Sequence, residues 1–300
     1  KHEFDLMLNV GLLNLSPDIY IGYENPITAI NNNLSWGISG FYMDGYRGGT
    51  LMLEYFHKLL YRGSADWGFE LAAEHRSHFN DNYPLFPEIW DKNDDNTIFG
   101  HYWTYFPGRS ARMDFKFYTS AFSDFDYTSA EWQLRHNINF SRLWGVELWF
   151  GAGYIEGGDI PAQQRFYLSG RDPEYSRYYQ YWGQRGVIPP SERGNFQAQS
   201  RPGLHSRSDF LFGAESYAAG EIQLPLPLKL SVPVFVPFYG KLKPYIKPLL
   251  YAAGAYDADN AVPLEKTLWE TGPGLEIGGF PGGNINVMFP LWADPAPFGE

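Results

Sequence analysis

Seven histidines are the first residues in this chain that could do chemistry, as metal ligands or proton carriers. His75 and His78 are three apart in an alternating segment, which puts them on opposite faces of a strand, unable to chelate one ion without a bend. His57, His101, His136 and His205 stand isolated and read as interfacial or interior histidines. The acidic run Asp91-Lys92-Asn93-Asp94-Asp95-Asn96 has the composition of a calcium loop. It lacks the spacing and closing glutamate of an EF-hand and reads as a solvated surface loop. Gly-Gly pairs at Gly48-Gly49, Gly157-Gly158, Gly278-Gly279 and Gly282-Gly283 precede no helix, so they read as turns and kinks of a curved sheet rather than phosphate cradles. Neither a Gly-x-Ser-x-Gly elbow nor His-Glu-x-x-His occurs, and nothing marks Asp124 and Asp126 as an acid and a base. With no cysteine, thiolate and disulfide chemistry are absent as well. The chain is expected not to be an enzyme and to carry no catalytic site, cofactor or metal.

The remaining charged residues become informative once the elements carrying them are read. Asp66 to Arg76 puts Trp67, Phe69, Leu71 and Ala73 on one face and Glu70 and Glu74 on the other. Ala111 to Ser120 opposes Met113, Phe115 and Phe117 to Arg112, Asp114 and Lys116. Glu131 to Ser141 opposes Trp132, Leu134, Ile138 and Phe140 to Glu131, Gln133 and Arg135. This period of two is the signature of strands. Near the C-terminus Ile285, Val287, Phe289 and Leu291 alternate with Asn284, Asn286 and Met288. Weaker strands cover Glu3 to Leu13, Asn33 to Tyr42, Thr50 to Lys58, Thr97 to Phe106, Val146 to Tyr154, Ser216 to Leu226, Lys243 to Gly254 and Leu268 to Gly278. Asp18 to Tyr23 and Val232 to Phe238 are weaker still, the second because prolines crowd it.

Composition decides what kind of sheet this is. Of 300 residues 18 % are aromatic, yet only 19 % are charged and the mean hydropathy is negative. A helical membrane protein needs apolar runs of about 18 residues or more, and none occurs. A soluble sandwich, such as a carbohydrate-binding module, also alternates, but its strands run about five or six residues and its polar face is lysine-rich. Here the runs suit tilted strands crossing a bilayer, apolar residues facing lipid and a polar set, including Arg112, Asp114, Lys116, Glu131, Arg135 and Glu147, facing a wet interior. The net charge of −11 excludes a nucleic-acid partner. The expectation is an all-β fold: a closed antiparallel transmembrane β-barrel of about 12 to 16 strands, even in number. One domain spans residues 1–300, with the lipid bilayer and lipopolysaccharide as partners. No signal peptide opens the chain and Lys1 to Asn14 already reads as a strand, so further sequence is expected before Lys1.

Connections fall into two lengths. Tyr46-Arg47-Gly48-Gly49, Pro107-Gly108, Leu143-Trp144-Gly145 and Pro281-Gly282-Gly283 read as short turns. Phe79 to Asn96 and Glu156 to about Arg207 read as long loops, expected together at one rim. The second is rich in aromatics and arginines, unlike a disordered tail, and is expected to fold back into the lumen.

The run Ile160-Pro161-Ala162-Gln163-Gln164-Arg165-Phe166-Tyr167-Leu168-Ser169-Gly170 resembles the start of the inserted loop in the BamA-like superfamily, the outer-membrane assembly factors and two-partner secretion transporters also called bacterial surface antigens. Gly220-Glu221-Ile222-Gln223-Leu224-Pro225, then Tyr245 to Asp257, Gly272-Pro273-Gly274-Leu275-Glu276-Ile277 and Ile285 to Leu291 resemble, in order, the strands that follow that loop. The likeness covers about Ile160 to Trp292. It implies a loop tip in which an arginine pairs inside the barrel, either at Gln184-Arg185-Gly186-Val187 or at Arg177-Tyr178-Tyr179. The candidate lumenal loop residues are thus Arg165, Phe166, Tyr167, Gly170, Arg177, Arg185 and Gly186. Their candidate partners are Glu70, Glu74, Glu131 and Glu221. The functions implied are protein insertion or translocation at the Gram-negative outer membrane, or anchoring and secretion of a soluble domain, such as a hydrolase or peptidase, joined N-terminally. Polypeptide substrates or other outer-membrane proteins would be the partners. A diffusion porin or small-solute transporter is the alternative, and it needs the loop to constrict rather than plug.

Overall fold

In the computed structural model the residues described are 3–10, 17–27, 33–43, 46–57, 66–78, 93–106, 110–141, 144–161, 164–167, 202–205, 213–231, 233–236, 240–257, 267–280 and 283–294. Long strands dominate them. β1 (Glu3–Val10), β2 (Pro17–Pro26), β3 (Leu34–Met43), β4 (Tyr46–His57) and β5 (Asp66–His78) come first. β6 (Asp95–Tyr105), β7 (Ala111–Ser120), β8 (Asp126–Asn139) and β9 (Gly145–Asp159) follow. Two short strands, β10 (Phe166–Tyr167) and β11 (Gly213–Ala214), pair with each other between β9 and the next long strand. The C-terminal third holds β12 (Ser216–Pro225), β13 (Leu230–Ser231), β14 (Val234–Val236), β15 (Gly240–Leu242) and β16 (Tyr245–Asp257). It ends with β17 (Thr267–Phe280), β18 (Gly283–Met288) and β19 (Trp292–Asp294).

The main sheet is antiparallel throughout and runs β1 to β9 in chain order, then β12, β16, β17 and β18, with β13 and β19 attached at β16 and β17. Among the described residues it is open, whereas the sequence had predicted a closed barrel. Thirteen strands follow one another along its path, an odd number, so β1 and β18 run in the same direction. A ladder directly between those two edges would be parallel, and the even, all-antiparallel closure does not apply to these strands.

Four local expectations are corrected. Tyr46 to Gly49 is not a turn but the start of β4, because all four residues pair with β5. The doubtful strand at Asp18 is a full strand; its prolines fall only at its two ends, where no central ladder bond is lost. The doubtful stretch near Val232 contributes only the ribbon β14–β15, apart from the main sheet. The closing strand is irregular at Phe289-Pro290-Leu291, where Phe289 and Leu291 still donate to the Pro273 and Thr271 carbonyls of β17 but the register shifts by one residue, and it resumes on β17 as β19. The Gly278-Gly279 pair is a kink as read: the β17–β18 register shifts between Ile277 and Phe280, and Gly279 takes φ 85°, a left-handed conformation open to glycine.

The sheet curves toward one face. Adjacent strands lie about 4.8 Å apart, yet on that face Thr97 Oγ1 and the Tyr127 hydroxyl are 3.0 Å apart across β7. Asn286 Nδ2 of β18 donates to Gln223 Oε1 of β12 at 3.5 Å across two strands. Such reach, above all the span of two strands from Asn286 to Gln223, fits side chains converging on a concave wall. The convex face carries the apolar alternates: Leu71 is 51 % exposed, Phe115 44 % and Trp132 37 %. Tyr102, Phe115 and Trp132 lie side by side in register across β6, β7 and β8. Both long loops leave the same rim, because β5 and β9 run in the same direction; the short connection between β7 and β8 shares that rim, so it is not uniformly long-looped.

Candidate functional site on the concave wall

Each polar residue of the wall is placed by the period of two. His101, Lys116, Glu131, Gly153 and Tyr217 follow one another in register across β6, β7, β8, β9 and β12. Glu131 is only 2 % exposed and accepts from the Tyr217 hydroxyl at 2.8 Å and from Gln133 Nε2 at 2.7 Å. The Trp149 indole donates in turn to Gln133 Oε1 at 3.2 Å. Because Gly153 stands between Glu131 and Tyr217 with no side chain, the tyrosine can span it. A Cβ on Gly153 would lie 2.6 Å from the Phe166 ring and 2.7 Å from Tyr217.

The long loop uses that gap. Phe166, on its outgoing limb, is buried against Tyr217 with ring centroids 4.7 Å apart. The returning limb, residues 202–205, also lies on the wall: a Cβ on Gly151 would come within 3.1 Å of Pro202, and Leu204 is buried. Phe166 and Leu204 join Tyr127, Ile155, Tyr217, Tyr251 and Leu268 in one apolar cluster that draws on five strands. Burying each of these two side chains contributes about 1.5 to 3 kcal/mol.

His205 follows Leu204 and is the polar end of the returning limb. Glu221, Ala253 and Glu270 are successive in register across β12, β16 and β17, and the small Ala253 leaves a slot between the two carboxylates. Into it His205 directs its backbone N–H to Glu270 Oε1 at 2.6 Å and its Nε2 to Glu221 Oε1 at 3.2 Å. Gln223 Nε2 also donates to Glu221 Oε1, at 2.6 Å, and the Tyr251 ring meets the imidazole edge-on at 5.0 Å. His205 belongs to the inserted loop, not to a spanning strand. Burial opposes its charge, but the Glu221 hydrogen bond and the charges of Glu221 and Glu270 outweigh it and hold its pKa above the ordinary histidine value.

The residues singled out from sequence are placed as follows. Phe166 and Tyr167 are buried at the wall. Arg165 forms an ion pair with Glu215 at 3.3 Å, both about half-buried, rather than with one of the four carboxylates proposed for it. Glu74 accepts from Arg76 at 3.1 Å and Thr50 at 3.0 Å. Glu131 and Glu221 have the partners given above, and Glu70 lies in register between Glu54 and His101. Gly170, Arg177, Arg185 and Gly186 lie outside the described residues. Three histidines read as isolated are not: His57 Nδ1 stands 3.2 Å from the Tyr55 hydroxyl, His101 Nε2 stands 2.8 Å from Asp114 Oδ1, and His205 bridges two glutamates. The polar residues of the wall also pair among themselves, Arg112 with Asp114 at 2.6 Å and Arg135 with Glu147 at 3.2 Å. Sequence reasoning placed Pro202 to His205 in the inserted loop and read His205 as an isolated interfacial or interior histidine, but it assigned neither Leu204 nor His205 a partner on the wall. The one local hint was Gly151-Ala152-Gly153, two bare positions on the same face of a strand.

Comparison with known proteins fits this architecture. BamA from Haemophilus ducreyi lacking POTRA domains 1–3 aligns over 92 % of this chain and 58 % of its own, with a TM-score of 0.51 and 13 % identity. The chain therefore spans little more than half of that protein, and the likeness is one of fold. No protein-family model and no curated protein matches the chain.

Proposed function

We propose that this chain is an integral barrel wall of the Gram-negative outer membrane, whose interior is occupied by its own long loop, and that it serves polypeptide insertion or translocation rather than free diffusion of solutes. The observation that carries the reading is the pairing of faces. The convex face offers Leu71, Phe115 and Trp132 to the surroundings, while the concave face buries Glu131 and Glu221 and seats both limbs of the loop. A soluble protein gains nothing from that inversion; a wall between lipid and a wet interior requires it. A loop held by an apolar cluster plugs an interior more readily than it lines a pore, which favours the BamA-like reading over the porin. On that reading a soluble domain joined N-terminally would use the same barrel as its anchor.

The test is reconstitution into lipid vesicles. The protein is expected to resist carbonate extraction, to pass little current in planar bilayers, and to speed the insertion of a second, unfolded outer-membrane barrel supplied from outside. Large, steady conductance in the unaltered protein would favour the porin. Membrane insertion with no effect on the second barrel would leave anchoring as its role.

A further inference from the structure

We infer that His205 is a proton-operated latch, which in its charged form ties the returning limb of the long loop to β12 and β17 and in its neutral form lets that limb leave the wall. The inference rests on the reading of the sheet as a barrel wall and adds to it a means of regulation.

The geometry is specific to one residue. His205 reaches two strands that are not neighbours, through two different groups: a backbone N–H to Glu270 at 2.6 Å and an imidazole nitrogen to Glu221 at 3.2 Å. Both carboxylates are about 1 % exposed beneath the docked limb, so their interactions with His205 are little screened by water. Among the described residues the groups facing His205 are Glu221 from β12, Glu270 from β17 and Tyr251 from β16. Farther along the wall stand Glu147, Glu276 and Lys247, within electrostatic reach of one another and, through Glu147, of Glu221. Among the described residues the nearest charges are thus two carboxylates, and they favour an imidazolium between them. Leu204 precedes the latch and is packed in the apolar cluster, so release of His205 loosens the residue that seals the limb.

The sign follows from linkage. The folded pKa of His205 is raised, so its contribution to docking is fully present below the ordinary histidine value and is lost as pH rises through the raised one. Opening is therefore expected on the alkaline side.

Hydrogen exchange at the peptide containing His205, corrected for the intrinsic rate, tests this in the whole protein in detergent and in vesicles. From below the ordinary histidine pKa to well above it the opening equilibrium is expected to rise severalfold, with conductance rising in step. His205→Gln keeps the backbone donor and loses the charge, so its exchange should no longer respond to pH. Ala253→Leu fills the slot without altering charge and should release the limb at every pH. An unaltered protein whose exchange at this peptide ignores pH overturns the latch, as does a His205→Gln variant that keeps the full response. Neither result touches the barrel. Failure to enter bilayers overturns the barrel reading instead, while exchange in detergent still decides the latch.

Discussion

The hydroxyl of Tyr217 on β12 reaches Glu131 on β8 at 2.8 Å, across a whole intervening strand, because Gly153 between them presents no side chain. Ala253 plays the corresponding part between Glu221 and Glu270. Small residues at the right register positions thus decide where the wall accepts its loop, and the loop fills each gap with one larger residue, Phe166 or His205.

Gly153→Val puts methyl groups where the Phe166 and Tyr217 rings now lie. Overpacking of this kind costs about 1 to 3 kcal/mol. The unfolding midpoint in denaturant should fall, and proteolysis near Phe166 should accelerate. A midpoint that stays in place would mean the rings are not confined by β9.

Tyr217→Phe keeps the ring packing and removes one donor from a carboxylate that is 2 % exposed. The loss is expected to be about 1 to 3 kcal/mol, read from the same denaturation curves. A neutral result would show that Glu131 is held by its other partners alone.

Phe115→Arg tests the convex face. In vesicles the substitution should cost about 2 to 4 kcal/mol if Phe115 meets lipid near the midplane. A water-exposed site would change by less than about 0.5 kcal/mol, and such a value would end the membrane reading.

Two ion pairs on the same molecule should differ in consequence. Asp114 accepts Arg112 through both its oxygens and also meets His101, so Asp114→Asn should cost about 1 to 3 kcal/mol. Arg165 and Glu215 are 35 % and 44 % exposed, so Arg165→Ala should cost under about 1 kcal/mol. The reverse order in thermal or urea denaturation would show that Arg165, not the packed ring of Phe166, fastens the outgoing limb.

The sequence by itself determined the strands and their faces. Alternation is a local property: Leu71, Phe115 and Trp132 are sorted from Glu70, Lys116 and Glu131 by parity alone, and no knowledge of neighbouring strands is needed. It also led to the expectation that the long loop returns to the sheet, and among the described residues 164–167 and 202–205 lie against it. The tertiary structure decided which loop residues meet the wall and which carboxylates receive them. Glu131 and Tyr217, or His205 and Glu270, are brought together by register across strands that the sequence does not align, and by the missing side chains of Gly153 and Ala253. Charge complementarity alone pointed to Arg165, a residue whose long side chain lets it find Glu215 near the surface. The position against two buried carboxylates went to an imidazole, because the slot left by Ala253 between them fits a short, half-apolar ring.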